Sequence, residues 1–295
     1  MVNNSGNQGL SPEIGKSFTV GGVFEPRFLP GLALSVDYYN IEVQNVISSL
    51  TGQTVINQCY DDPVGLDNPF CALISRRTSA NSVVNGTFAG QANRTLGGVA
   101  NNARDFTGVP LGNSFISQPF NYAKLKTSGI DADLSYTHTF NGDFKVGYRG
   151  LLSWLQKREQ FTFITAPEQS LRINGTLGDP EWRGSFSTNF SYKGIDFGYD
   201  VNYIGVMAVA AWEVQNTHQG RGPTNADQFP IKNYPEQLTH DVQLGIRANE
   251  RFRFYLGVDN FMDTLPPYGL TGTGAGGGIY GVVGRYFYAG VNLKY

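Results

Sequence analysis

The chain has 295 residues and a formal net charge of −2, with only 16% charged residues but 37 Gly, 20 Phe and 16 Tyr. Apart from Arg76-Arg77, which reads as a solvated loop pair, its basic residues are scattered, and this excludes the electrostatic footprint of a nucleic-acid binder. It also lacks any run of about 18 apolar residues, which excludes a helical membrane protein, and the composition suits an all-β chain whose two faces differ in polarity.

The first residues, Met1-Val2-Asn3-Asn4-Ser5, carry neither a basic stretch nor an apolar core, so they do not form a secretory signal. A protein destined for an outer membrane needs one, and the expectation is a chain that has lost its start. Period-two alternation then recurs down the chain, while helical periodicity is nearly absent. It predicts about nine strands, at roughly 14–24, 32–47, 120–140, 143–158, 181–193, 195–207, 236–248, 251–261 and 280–295. In the third, Ile130, Ala132, Leu134, Tyr136 and Phe140 share one parity, and Asp131, Asp133, Ser135, Thr137 and Thr139 the other. Trp182, Phe186, Phe190 and Tyr192 oppose Arg183, Ser185, Ser187, Asn189 and Ser191 in the fifth. Ile195, Phe197, Tyr199, Val201 and Tyr203 oppose Asp196, Gly198, Asp200 and Asn202 in the sixth; Leu238, Val242, Leu244 and Ile246 oppose Thr239, Asp241, Gln243 and Arg247 in the seventh. Successive side chains of a strand point to opposite faces, so each segment has an apolar and a polar side.

The connections alternate in length. Glu25–Gly31, Asn141-Gly142, Lys193-Gly194 and Asn249-Glu250 are short, whereas 48–119, 159–180, 208–235 and 262–279 are long. Short turns at one rim and long loops at the other are the asymmetry of outer-membrane barrels. A soluble β-sandwich shows alternation too, but has less reason to gather every long loop at one end. The chain closes on Phe287, Ala289, Val291, Leu293 and Tyr295 along one face. This resembles the last strand of bacterial outer-membrane barrels, which ends in an aromatic and is read by the barrel-assembly machinery; an ordinary edge strand is the alternative.

Gly9-Leu10-Ser11-Pro12-Glu13 with Lys16–Gly21, Gly31–Ile41, Thr127-Ser128-Gly129-Ile130-Asp131, and Asp259-Asn260-Phe261-Met262-Asp263 with Pro266-Pro267 resemble, in this order, motifs of the TonB-dependent receptor barrel. The resemblance implies a transmembrane β-barrel of 22 strands closed by a plug, importing siderophores, cobalamin or oligosaccharides with energy from the TonB complex. Only about nine strands are present, so residues 1–295 are expected to be the C-terminal portion of the barrel, without its plug and N-terminal strands. The implied partners are outer-membrane lipid, the assembly machinery through the last strand, the TonB complex through the missing N-terminal part, and a small-molecule or oligosaccharide substrate.

Other features compete with this reading. Cys59 and Cys71, twelve residues apart in the longest loop, are expected to form a disulfide if that loop faces an oxidising compartment; a metal or redox pair is the rival, with no His or further Cys nearby. Gly272-Thr273-Gly274-Ala275-Gly276-Gly277 fits G-x-G-x-x-G but lacks the strand before and helix after that a dinucleotide site requires. His138, His218 and His240 have no metal-ligand spacing; the first and last fall on apolar parities, as interfacial residues would. No nucleophile elbow appears. Asp131, Asp133, Asp196, Asp200, Asp241, Asp259 and Arg247 lie on polar parities, where lumen lining accounts for all of them and acid–base chemistry is the rival. Asn85-Gly86-Thr87, Asn93-Arg94-Thr95 and Asn174-Gly175-Thr176 read as turns rather than glycosylation sites. No catalytic, cofactor-binding or metal residue is assigned. Two other classes stay open: a passive porin or adhesin barrel, and a soluble sandwich that binds a ligand.

Overall fold

The structure is a computed structural model that describes residues 2–4, 8–49, 51–61, 70–71, 74–79, 82–85, 114–117, 119–163, 166–267 and 279–294. Nine long strands dominate it: β1 Ile14–Phe24, β2 Leu32–Ser49, β3 Pro119–Phe140, β4 Phe144–Phe161, β5 Trp182–Tyr192, β6 Ile195–Ile204, β7 Gln237–Arg247, β8 Phe252–Asp259 and β9 Tyr286–Leu293. They hydrogen-bond in strict chain order in one sheet, and β1 and β9 do not pair with each other, so the sheet is open. No helix among the described residues is long and apolar enough to cross a membrane.

Turn chemistry enforces the chain order. Asn141-Gly142 (φ 47° and 78°) and Lys193-Gly194 (φ 46° and 84°) place two successive residues at positive φ, the primed turn geometry that matches strand twist. Asn249 Oδ1 accepts the N–H groups of Arg251 and Phe252 at 2.9 and 3.0 Å and so closes the β7–β8 turn. Gly31, between β1 and β2, has φ 90°, and its carbonyl accepts Thr137 N–H at 2.9 Å.

The chain divides into two compact units. The larger comprises 17–41, 126–159 and 171–295. In it, register carries the predicted alternation across the sheet: Phe186 pairs with Gly150 and Val201, Phe190 with Val146 and Phe197, Phe197 with Leu244, Leu244 with Leu256, and Leu256 with Ala289. One face of β4–β9 is therefore continuously apolar and the other polar. Phe287, Ala289, Val291 and Leu293 fall on the apolar face; Tyr295 lies outside the described residues.

All strand boundaries but one fall within three residues of the sequence reading, and two of the differences have a cause in the sheet. The last strand begins at Tyr286, opposite Asp259, rather than at 280. At Asn260 the chain turns away (φ 49°) and leaves 280–285 without a strand to pair with, while Asp263 Oδ1 accepts Arg285 N–H at 2.8 Å. Strand β6 stops at Ile204, and Met207–Ala208 instead pairs with Asn233–Tyr234.

The smaller unit comprises 1–16, 42–125 and 160–170. Here the expected plain loop 48–119 is corrected. It holds a helix, α1 (Gly52–Asp61), and short strands Ile74–Ser79, Ser82–Asn85 and Ser114–Ser117, which form a small sheet with Val2–Asn4. Arg76 and Arg77 thus belong to a strand rather than to a loop. Val55 and Cys59, one helical turn apart, are fully buried, as is Cys71, with Phe70 almost so. Of the helix's four apolar or aromatic residues only Val55 and Cys59 are buried, Ile56 and Tyr60 being exposed, and one helical turn is too short a stretch to register as a period.

Candidate functional site

On the polar face of the larger unit, strands β4 to β8 and the segment 279–286 line a depression of two adjoining lobes. One, of about 540 Å³, is lined by Asn202, Gln237, Thr239, Asp241, Asp259 and Tyr286. The other, of about 440 Å³, is lined by Leu151, Ser153, Arg183, Ser185, Asn202 and Tyr203. Asn202, Ile204 and Ile279 border both lobes.

The first lobe is acidic because register makes it so. Asp200 pairs directly with Asp241, and the step after Val242–Val258 sets Asp259 beside Asp241. Like charges directly opposite repel, and hydrogen bonds offset part of this: Asp241 Oδ1 accepts Asn260 N–H at 2.6 Å, and Tyr288 donates to Asp259. Elsewhere on this face the signs alternate, with Arg149 bonded to Asp133 at 2.9 Å and Arg253 to Asp196 at 3.1 Å. Most of the aspartates read as lumen lining therefore stand in one polar wall, and none forms a metal cluster among the described residues.

The tyrosines of this wall rest on glycines. A Cβ on Gly257 would lie 2.3 Å from the Tyr288 ring, and one on Gly290 2.3 Å from Tyr255 Oη. Gly257–Tyr288 and Tyr255–Gly290 are themselves cross-strand pairs, so each ring lies over the glycine opposite it.

A second polar cluster sits among the long loops. Asn174 is buried; its Oδ1 accepts Arg158 N–H at 3.1 Å and its Nδ2 donates to the Gln156 carbonyl at 3.2 Å. This turn (Gly175 φ 82°) is the predicted Asn-Gly turn, and a buried, bonded amide is no acceptor for a glycan. The Arg172 guanidinium pairs with Glu181 and lies 3.8 Å from the centre of the Trp212 ring, while the backbone N–H of Arg172 donates to Glu213 Oε1 at 2.6 Å. His218 Nε2 stands 4.0 Å from both Glu159 and Glu213. No periodicity governs such loops, and the sequence carried no signal for this cluster. Nearby, burial and the neighbouring Tyr234 push the Tyr280 hydroxyl above its ordinary value.

The apolar face has its own order. Phe140, Phe144, Phe190 and Phe197 form a ladder of ring contacts at 6.1–6.3 Å near the short turns. His138 joins it between Tyr136 and Phe140. Ten residues from Phe144 along β4, and eight from Phe190 along β5, Trp154 stacks on Trp182 at 5.6 Å. His240 Nδ1 bonds Tyr199 Oη at 2.8 Å beside Phe261, so both histidines of apolar parity sit among aromatics. Ten residues at ~3.3 Å each, on strands tilted by roughly 40°, project to about 25 Å, the height of the apolar band in outer-membrane barrels.

In the smaller unit a disulfide joins Cys59 to Cys71, with Cα atoms 4.7 Å apart. Replacing both by Ser is expected to cost about 3 kcal/mol by the chain-entropy estimate for so short a loop. Limited proteolysis with and without reductant checks this, as faster cleavage between the two positions. The same unit has a cavity of about 360 Å³ lined by Gln44, Asn45, Asn121, Lys124, Phe161 and Phe163. Asn121 is spent on structure, with Nδ2 bonding the Ser11 and Asn45 carbonyls at 2.8 and 2.7 Å, while Lys124 Nζ lies 4.2 Å over the Phe161 ring. The Gly272–Gly277 stretch and the Asn93 sequon lie outside the described residues.

The family described as "TonB dependent receptor-like, beta-barrel" matches residues 1–261. No curated protein matches. Among solved structures, the siderophore receptor PirA of Acinetobacter baumannii aligns with 98% of the chain and 33% of its own length, at 14% identity and a TM-score of 0.53. The ferric enterobactin receptor of Pseudomonas aeruginosa in complex with enterobactin aligns with 98% of the chain and 32% of its own (15% identity, TM-score 0.55). The FrpB iron transporter of Neisseria meningitidis covers 100% and 33% (11% identity, TM-score 0.52). These likenesses show the fold, and the chain spans about a third of the length of each structure.

Proposed function

Because the chain belongs to the TonB-dependent receptor β-barrel family, we propose that it forms part of an active importer in the bacterial outer membrane. The observation that carries this reading is the sheet's two-sidedness: an apolar face banded by aromatics about 25 Å apart, backed by a polar face with lobes of about 540 and 440 Å³. A soluble sandwich buries its apolar face against a second sheet, whereas here Phe254, Leu256, Phe287 and Val291 stay about half exposed or more. We further propose that residues 1–295 are the C-terminal portion of the barrel; an open sheet with two unpaired edges supports this, since lipid leaves such edges unsatisfied. The last strand is then the segment presented to the barrel-assembly machinery, and the plug and TonB contact belong to the remainder of the receptor.

The substrate we favour is a ferric siderophore. The supporting observation is that solved structures of similar fold include siderophore and ferric enterobactin receptors and an iron transporter. The lobes' side chains mix carboxylates, amides, tyrosines and one arginine, suited to a polar solute in transit rather than to bond chemistry. Fractionating cells that carry the whole receptor tests the membrane claim: the receptor is expected in the outer-membrane pellet and to need detergent for release, and recovery in the aqueous fraction would sink the claim. Uptake of radiolabelled iron by cells carrying the receptor tests the transport claim, with collapse of the proton-motive force expected to abolish uptake. Unchanged uptake would favour a passive pore.

A further inference from the structure

The short-turn rim around the last two strands holds cations that the sheet itself does not use. Arg247, Glu250, Arg251, Arg253 and Lys294 line a cavity of about 170 Å³ there, together with Phe252 and Leu293. Register puts Arg247 directly opposite Arg253, an arrangement in which like charges repel. Arg253 is compensated by Asp196, 3.1 Å away, although its Nε is buried without a partner. Arg247, Arg251 and Lys294 make no ion pair among the described residues, not even with the adjacent Glu250. In a chain of net charge −2 this is a local concentration of positive charge.

The apolar neighbours decide what would neutralise it. Phe252 and Leu293 are a cross-strand pair at the end of the apolar face, 41% and 53% exposed. Arg247, Arg253 and Lys294 lie on the opposite, polar parity, so the cavity sits between the two faces at the end of the sheet by the short turns, at headgroup depth if the sheet spans a bilayer. Basic side chains at such a boundary lay their stems on apolar surface and keep their heads among headgroups, and guanidinium groups bind phosphate oxygens in pairs. We propose that this cavity holds the phosphate of an anionic lipid in the leaflet on the short-turn side. The inference rests on the membrane reading above.

The test uses the full chain extracted from membranes in zwitterionic detergent, with bound lipid counted by native mass spectrometry. Phosphatidylglycerol is expected to be retained and to raise Tm, and phosphatidylcholine to do neither. Each cation near an anionic headgroup is worth about fivefold in affinity, so the triple variant Arg247→Gln, Arg251→Gln, Lys294→Gln is expected to bind phosphatidylglycerol at least ~10-fold more weakly. The same charge loss at Lys232, among the long loops, is expected to change nothing. If the triple variant does not fold, Lys294→Gln alone decides, with a roughly fivefold loss expected. Equal retention of the two lipids, undiminished binding by the variant, or displacement of phosphatidylglycerol by millimolar inorganic phosphate overturns the proposal. Failure of the chain to enter micelles at all overturns instead the membrane reading on which it rests.

Discussion

Leu256→Arg is expected to destabilise the folded chain by about 2–4 kcal/mol in lipid vesicles, the cost of a basic residue on the lipid face at mid-bilayer. Leu256 lies five residues above the β7–β8 turn, about 17 Å along the strand or 13 Å in projection, half the height of the apolar band. It pairs with Leu244 and Ala289 on the apolar face and is 51% exposed. That exposure makes the experiment decisive. In water, adding a charge to a half-exposed position changes stability by no more than about 0.5 kcal/mol; in hydrocarbon it does not come so cheaply. The paired control is Gln243→Arg, on the polar face opposite Gly257, for which less than about 0.5 kcal/mol is expected. Urea unfolding followed by tryptophan emission, in vesicles and in detergent, measures both. Equal, small effects would mean that the apolar face does not meet lipid.

Gly31→Ala is the second large effect, and its reason is covalent geometry rather than solvent. With φ at 90°, residue 31 occupies a conformation that side chains rarely adopt, and the added Cβ would sit 2.0 Å from the Thr137 carbonyl oxygen. That oxygen belongs to the backbone of a 22-residue strand and cannot step aside. Conformational strain of about 1–3 kcal/mol and overpacking of about 1–3 kcal/mol act together, and the Gly31 carbonyl bond to Thr137 N–H is expected to break as the turn shifts. Gly142→Ala separates the two causes. It also has positive φ, at 78°, but its Cβ would meet nothing within 4 Å, so only the backbone term of about 1 kcal/mol should remain. Thermal or denaturant unfolding of the two variants side by side is expected to rank them in this order by a clear margin; similar values would remove the close approach to Thr137 from the account.

The strands were legible because membrane-type sheet writes a binary code. Asp131 and Asp133 against Ile130 and Leu134, or Asp196 and Asp200 against Phe197 and Tyr199, need only the two-residue period of a strand to be sorted onto faces. Eight of the nine strands start on the alternation's onset or within one residue of it, and the discrepancies at Ile204 and Tyr286 arise where a neighbour leaves the sheet. A strand ends when its partner does, and a partner's departure at Asn260 is not visible in residues 280–285 themselves. Helix α1 was missed for a related reason: its buried Cys59 is bonded to Cys71, which the chain brings back from outside the helix.

The site divides in the same way. The sequence by itself determined which residues are polar-facing and which apolar-facing, the chain order of the strands, the rim that carries the short turns, and the membership suggested by Asp259–Asp263 and its companion motifs. These depend on local alternation and turn propensity, which act between near neighbours. Only the tertiary structure decided that Asp200, Asp241 and Asp259 stand in one row, that Tyr255 and Tyr288 each lie over the glycine opposite, that Arg172 stacks on Trp212, and that Arg247, Arg251 and Lys294 meet around one cavity. Each of these is a matter of register between strands or of contact between loops. A one-residue slip between strands would leave each segment's own alternation intact and abolish the features that depend on register, because register is settled by the packing of whole faces rather than by any single segment.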